Sequence, residues 1–136
     1  MTPDQVALVR GTMRAVHARR GELADAFYAN LFRDEPGLRP MFPDDLSTLQ
    51  AKFVDELEVI VGAVEDIGTF LRRAGHLGGR HVGYGVRTEH YRVAGDALVG
   101  AFEQLLAAEW TPAHEVAWRG AYDMVAEAMM MRAAGI

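Results

Sequence analysis

The sequence predicts an all-α protein, and three observations lead to this fold class. Apolar residues recur at helical spacing along most of the chain, and no segment keeps the strict alternation of a half-buried strand. Proline and glycine divide the chain into six or seven helices of unequal length, unlike the helices of a regular four-helix bundle. A length of 136 residues suits one domain, so we expect residues 1–136 to form a single unit.

The first three helices are predicted from their start and stop signals. Thr2 is a suitable N-cap, followed by Pro3 in the first helical turn. This helix should run to about residue 20, where Gly21 breaks it. The second helix should end at the Glu-Pro-Gly sequence of residues 35–37. A third helix, over about residues 47–64, follows a short turn and carries apolar residues at steps of three and four.

The second half of the chain contains the longer helices. After a linker at residues 65–68, a helix should continue until Gly83 and Gly85 stop it. Thr88 can cap a long helix that reaches about residue 108. The Thr-Pro pair at residues 111–112 marks the start of the last helix.

The fourth predicted helix has one polar residue in its apolar stripe. Phe70, Ala74, Leu77 and His81 occupy positions i, i+4, i+7 and i+11, so they share one face. Two glycines just before the histidine allow another group to approach the backbone closely. An inward histidine with no cysteine nearby is a candidate axial ligand for haem iron. The alternative is a histidine that is hydrogen-bonded within the core.

Composition excludes several classes of function. The formal net charge of −5 gives no electrostatic basis for binding nucleic acid. The absence of cysteine excludes disulfides, zinc–thiolate sites and cysteine nucleophiles. No apolar run approaches the length of a transmembrane helix, and the first ten residues lack the pattern of a signal peptide. We therefore expect a soluble, cytoplasmic protein that does not bind membranes.

Several short motifs occur in a characteristic order. They are Phe27-Tyr28-Ala29-Asn30-Leu31-Phe32, Glu35-Pro36 leading to Phe42, Gly79-Arg80-His81, Tyr84-Gly85-Val86, His90-Tyr91, and Trp118 with Tyr122. Each motif alone is weak, but their order and spacing are specific. Over nearly its whole length the chain resembles a single-domain bacterial globin, similar to the haem domain of flavohaemoglobins. The resemblance implies a globin fold around a pocket for haem b.

The resemblance also implies roles for individual residues. His81 matches the proximal histidine that binds iron through one ring nitrogen, while the other nitrogen can donate a hydrogen bond. Tyr28 matches a distal tyrosine whose hydroxyl donates to bound O₂. Phe42 matches the aromatic residue that wedges against haem, and Tyr91 matches a tyrosine on the proximal side. The cofactor-binding residues expected in all are Phe42, Leu49, Lys52, Phe53, Leu77, Arg80, His81, Tyr84, Val86 and Tyr91.

Two registers are possible for the third helix on the distal side of such a pocket. The favoured one puts Leu49 at the distal position and Phe53 over the iron, with Lys52 near a haem propionate. A shift of one residue would put Gln50 and Val54 there and rotate the face by about 100°. No histidine occurs between residues 17 and 76, so the distal histidine of many globins is absent in either register.

Two departures from flavohaemoglobins limit what the resemblance implies. The resemblance covers only the haem domain of those proteins, so we expect no flavin or nicotinamide domain and an external reductase that supplies electrons. Those proteins also connect the proximal histidine to a tyrosine and a glutamate, but Ala133 stands where the glutamate is expected. Glu127 lies about a turn and a half earlier and is a poor substitute. Peroxidase-like chemistry is therefore not expected.

The resulting expectation is a globin that binds O₂ reversibly, and also CO and NO, as a monomer or homodimer. One hypothesis is enzymatic: NO dioxygenation to nitrate with an unidentified reductase. The alternative is non-enzymatic storage or delivery of O₂, or gas sensing. A haem-free globin-like module is a third possibility, which the inward position of His81 disfavours.

Overall fold

The computed structural model describes residues 1–83 and 85–135, with only the backbone of residues 83 and 133. These residues form six α-helices and three short 3₁₀ helices, and they contain no strand. None of the described helices is both long and apolar enough to cross a lipid bilayer. The α-helices are α1 (Pro3–Val16), α2 (Arg20–Asp34), α3 (Ser47–Gly62), α4 (Ile67–Gly83), α5 (Thr88–Leu106) and α6 (Pro112–Ala133).

Two of the predicted helix starts are confirmed in detail. The Thr2 hydroxyl accepts a hydrogen bond from the Gln5 backbone N–H at 3.1 Å, and the Gln5 side chain accepts one from the Thr2 N–H at 3.0 Å. This reciprocal capping box satisfies donors that a helix end leaves unpaired. Thr111 caps α6 in the same way, with His114 as the third residue.

Two predicted boundaries are wrong by a few residues. The chain turns between α1 and α2 through a 3₁₀ helix at His17–Arg19, so Gly21 lies inside the first turn of α2 instead of breaking a helix. Thr88 is the first residue of α5 and not its cap. The Arg87 backbone N–H is instead satisfied by His90 Nδ1 at 3.0 Å, which fixes the cap one residue earlier. The helix α5 ends at Leu106, followed by a 3₁₀ turn at Ala107–Glu109.

The main core lies where α1, α2, α5 and α6 meet. Its largest fully buried side chains include Trp118 and Phe102, whose ring centroids are 4.2 Å apart. Val9, Val16 and Leu23 complete the same cluster. Burying a large aliphatic side chain contributes about 1.5–3 kcal/mol, so this cluster is a principal source of stability.

A smaller apolar cluster joins α4 to α5 and α6. Ala74 of α4 and Met129 of α6 are both buried in it. At Gly78 the two helices approach so closely that a Cβ atom would lie 2.4 Å from the carbonyl oxygen of Met129. Only glycine permits this backbone contact, which sets the distance of α4 from the rest of the fold.

Candidate functional site

His81 lies in the last turn of α4, on the face that also carries Phe70, Ala74 and Leu77. The side chain is half-buried, and its Nδ1 donates a hydrogen bond to the Leu77 carbonyl at 2.8 Å. A carbonyl can only accept, so Nδ1 carries the proton in the neutral ring. This tautomer leaves the lone pair on Nε2, the atom through which a histidine can bind a metal.

Burial also favours the neutral form of this histidine. Desolvation is the largest effect and lowers the pKa of His81 below its ordinary value, and the nearby Arg80 lowers it further. The hydrogen bond to Leu77 opposes this shift without reversing it. The neutral imidazole is the form that binds metals, so the environment of His81 suits a ligand.

Tyr28 projects from α2 and is buried, with only 7 % of its surface exposed. Its hydroxyl makes no hydrogen bond to any residue within the described part of the chain. Desolvation raises the pKa of Tyr28 to about 12, so the phenol stays protonated at neutral pH and remains a donor. The structure therefore provides a protonated O–H group, on a largely buried side chain, that a ligand can use.

Aromatic rings from three elements surround Tyr28. The ring of Phe42, which follows the 3₁₀ helix Pro36–Met41, meets it edge-on at a centroid distance of 5.9 Å. Phe53 of α3 also meets it edge-on at 5.9 Å and stacks on Phe27 at 4.2 Å. Phe27 was not among the predicted site residues, although its position in the same motif marked it as a neighbour. These rings make the surroundings of the Tyr28 ring apolar.

The two registers considered for α3 point to different surroundings. Phe53 turns toward Tyr28, and Leu49, one helical turn earlier, is half-buried. The Gln50 amide instead donates to the Asp25 carboxylate on α2 at 2.9 Å. Val54 is buried, about 100° around the helix from Phe53. Phe53 thus meets the ring of Tyr28 and Gln50 meets the exposed carboxylate of Asp25, both on α2, while Leu49 lies one helical turn before Phe53.

Two cations predicted near the site occupy its solvent side. Lys52 is exposed on α3. Arg80, which precedes His81, is also exposed and lies 3.7 Å from the Glu56 carboxylate of α3. Glu56 was missed at the sequence level, although its spacing of three residues from Phe53 places both on neighbouring lines of α3. This ion pair connects the helix that carries Phe53 to the helix that carries His81.

Tyr91 and Val86 lie on the α5 side of α4. Both pack in the apolar cluster of α4, α5 and α6, together with Leu77. The Tyr91 hydroxyl is buried and has no hydrogen-bond partner among the described residues, and burial raises its pKa. No described carboxylate bonds to it, and Glu127 is exposed on α6. Tyr84, the remaining predicted cofactor contact, lies outside the described residues.

The side chains around His81 suit a metal whose other ligands come from a cofactor and not from the protein. Among the described residues, no group of three or more His, Cys, Asp or Glu side chains is arranged to hold an ion. A single neutral imidazole, apolar walls and cations at the solvent edge are what an iron porphyrin requires, because the macrocycle supplies four nitrogens. His81 thus fits the role of an axial ligand.

The comparisons with known proteins identify the family of this chain. A sequence model of the globin family matches residues 25–129. The chain belongs to the globin family, and membership implies a haem-binding protein.

Individual relatives give a finer likeness. The chain is 30 % identical over 136 aligned residues to a flavohemoprotein of Deinococcus radiodurans, and the match covers 96 % of the chain but 33 % of that protein. It is 22 % identical to a flavohemoprotein of Bacillus subtilis, over 92 % of the chain and 32 % of that protein. The chain thus spans about a third of the length of the curated relatives it matches.

A solved structure shows the same fold. A bacterial globin from Campylobacter jejuni superposes with a TM-score of 0.87 and 22 % sequence identity, and the match covers 98 % of this chain and 97 % of that one. The all-α globin fold predicted from the sequence is confirmed.

Proposed function

We propose that this globin binds haem b through His81 and uses it to bind O₂ reversibly, and also CO and NO. Haem, when bound, supplies the iron at which these gases coordinate. The observation that carries the proposal is the hydrogen bond from His81 Nδ1 to the Leu77 carbonyl, which selects the tautomer whose Nε2 can bind a metal. Leu77, Val86 and Tyr91 would contact the haem on the same side as His81. Tyr84 is also proposed to contact the haem. The whole chain, residues 1–136, is proposed as one domain.

The proposed role of Tyr28 is to donate a hydrogen bond to bound O₂. Its hydroxyl belongs to a buried side chain, is protonated and makes no hydrogen bond to a described residue, which supports this role. Bound O₂ carries partial negative charge, and a donor in an apolar environment stabilises that charge more than a donor in water does. Phe42 and Phe53 would keep water away from the hydroxyl.

On the distal side we propose the register with Leu49 and Phe53 toward the haem. The contact of Phe53 with the Tyr28 ring supports it. No imidazole lies on this face of α3, so the ligand position opposite His81 would stay open in the ferrous protein. Lys52 and Arg80 are proposed to pair with the haem propionates, for which Arg80 would exchange its partner Glu56.

The proposed enzymatic activity is NO dioxygenation. One NO, one O₂ and one electron give nitrate, and the electron would come from a separate reductase. The likeness to flavohemoproteins supports a redox role, although the chain matches only their globin part. Tyr28 would hold O₂ in place for the reaction.

Storage, delivery or sensing of gases is the second candidate. It is favoured by the Tyr91 hydroxyl, which has no carboxylate partner among the described residues. Without a carboxylate in this network, His81 donates less electron density, and binding is favoured over redox chemistry. Steady-state NO consumption with a supplied reductase separates the two candidates: nitrate formation with repeated turnover supports the enzyme, and a single turnover supports binding alone.

Replacing the proposed ligand tests the haem site directly. His81→Ala should abolish the five-coordinate imidazole spectrum of the ferrous protein, because no other histidine occupies this face. His76→Ala is the matched control, since His76 is exposed on the same helix and about 140° away. Optical and resonance Raman spectra of both variants measure the result. A normal spectrum in His81→Ala would contradict the assignment.

A further inference from the structure

A cavity of about 350 Å³ lies between α4 and α6, and none of its residues is proposed to contact haem. Its volume is at the lower end of the range for small-molecule pockets. The cavity is lined by Leu71, Arg72, Gly75, His76, Ala128, Met131 and Arg132.

The walls of this cavity are apolar although it opens to solvent. Leu71 and Met131 are 49 % and 51 % exposed, so about half of the surface of each residue lies in water at this cavity. Ala128 lies one helical turn before Arg132 and is buried. A ligand with an apolar body would remove these side chains from water, and such burial is favourable in proportion to its area.

The rim of the cavity is cationic in an otherwise acidic chain. The net charge of the protein is −5, yet α4 contains three arginines, two histidines and no acidic residue. Arg132 of α6 faces Arg72 of α4 across the cavity and makes no ion pair within the described part of the chain. Asp66, the nearest acid before Arg72, accepts hydrogen bonds from Thr69 and partly offsets the charge of Arg72. Arg132 is therefore the stronger attraction for an anion.

Gly75 lines the cavity on the α4 side, beside the side chain of Arg132. A Cβ atom at this position would lie 3.7 Å from the Arg132 Cβ, which is ordinary van der Waals contact. The aliphatic stem of Arg132 thus passes over Gly75, and the space beside it belongs to the cavity. From Leu71 to His76 the groove extends about 7.5 Å along α4.

We propose that this cavity binds a small amphiphilic anion, a medium-length alkyl chain with one terminal carboxylate. The chain would lie against Leu71, Ala128 and Met131. The carboxylate would pair with Arg132, whose planar guanidinium can bind both of its oxygens, and with Arg72 as the second cation. The site does not require haem, so it can be tested whether or not the haem proposal holds.

Octanoate is the probe for the first experiment, because it joins an alkyl chain that can span the groove to one terminal carboxylate. Titration of the purified protein is followed by NMR of the methyl groups of Met131 and Ala128. We expect saturable shifts at both, weaker binding of octan-1-ol, which lacks the charge, and weaker binding of butyrate, which lacks the chain. Equal affinity for octan-1-ol, no saturation, or shifts confined to methyl groups near Phe53 would each overturn the proposal.

Matched variants distinguish binding in the cavity from effects of total charge or of stability. Arg132→Gln should weaken octanoate binding about threefold to tenfold, whereas Arg73→Gln, an exposed arginine outside the cavity, should not. Gly75→Ala should weaken binding by filling the groove without reducing stability. Gly79→Ala, with nothing within 4 Å of its added methyl, should leave binding unchanged. Similar weakening by both arginine variants, or unchanged binding in Gly75→Ala, would contradict the proposed site.

Discussion

Two helix contacts position the two sides of the proposed haem site. The contact of α4 with α6 is made by backbone atoms, and the contact of α2 with α3 is made by side chains. At Gly78 the backbone of α4 lies directly against the backbone of α6 at Met129. Between α2 and α3 the contact is made by side chains, with Phe27 stacked on Phe53. A backbone contact cannot adjust by changing a rotamer, whereas stacked rings can. The position of His81 should therefore be less adaptable than the arrangement around Tyr28.

The largest effect is expected from a substitution that breaks the backbone contact of α4 with α6. Gly78→Ala would place a methyl 2.4 Å from the Met129 carbonyl oxygen, so α4 must move away from α6. We expect the free energy of unfolding to fall by about 3 kcal/mol and haem to be retained poorly. Urea denaturation and haem retention measure both effects.

Gly79→Ala is the control for Gly78→Ala on the same helix. Nothing lies within 4 Å of its added methyl, so it should be neutral or stabilising, by at most about 1 kcal/mol. If both variants lost the same free energy of unfolding, helix α4 itself, and not its contact with α6, would be sensitive to these substitutions.

The next largest effect is expected at Tyr28, among the aromatic side chains of α2 and α3. Tyr28→Phe removes the proposed donor to O₂ and keeps the ring contacts with Phe42 and Phe53. A hydrogen bond to a charged partner contributes about 1.5–3 kcal/mol, so O₂ should dissociate tenfold to a hundredfold faster. The CO dissociation rate should change little, because bound CO is less polar. Stopped-flow measurement of an unchanged O₂ rate would mean that Tyr28 does not contact the ligand.

A smaller effect tests the apolar cluster around α4. The buried Tyr91 hydroxyl lacks a described partner, so Tyr91→Phe should raise the free energy of unfolding by about 1 kcal/mol. Tyr122→Phe is the matched variant, since the Tyr122 hydroxyl donates to the Tyr91 carbonyl. Loss of this hydrogen bond should lower the free energy of unfolding by about 1 kcal/mol. Thermal unfolding compares the two, and destabilisation by Tyr91→Phe would indicate that its hydroxyl is satisfied.

The smallest effect is expected at Lys52. The side chain is exposed on α3, so Lys52→Ala should leave the ferrous, ligand-free protein five-coordinate. Resonance Raman spectra of the wild type and the variant provide the test. A six-coordinate low-spin signal that disappears in Lys52→Ala would show that the amine binds iron. A signal that persists in the variant would point to the shifted register with Gln50 and Val54.

The sequence by itself determined the helical fold and its most informative residue. Helical periodicity and caps such as Thr2 and Thr111 act through neighbours in sequence, so they are predictable without tertiary contacts. The same periodicity placed His81 on the apolar face of α4. Boundaries were less predictable, because the turn at His17–Arg19 is selected by how α1 and α2 pack and not by Gly21.

Tertiary structure alone decided which groups meet across helices. The stacking of Phe53 on Phe27 and the hydrogen bond of Gln50 to Asp25 depend on how α3 is rotated against α2, and a periodicity that allowed two registers could not fix that angle. The ion pair between Arg80 and Glu56 likewise joins residues 24 positions apart. Such contacts depend on the distance and rotation of whole helices, which no local sequence pattern encodes.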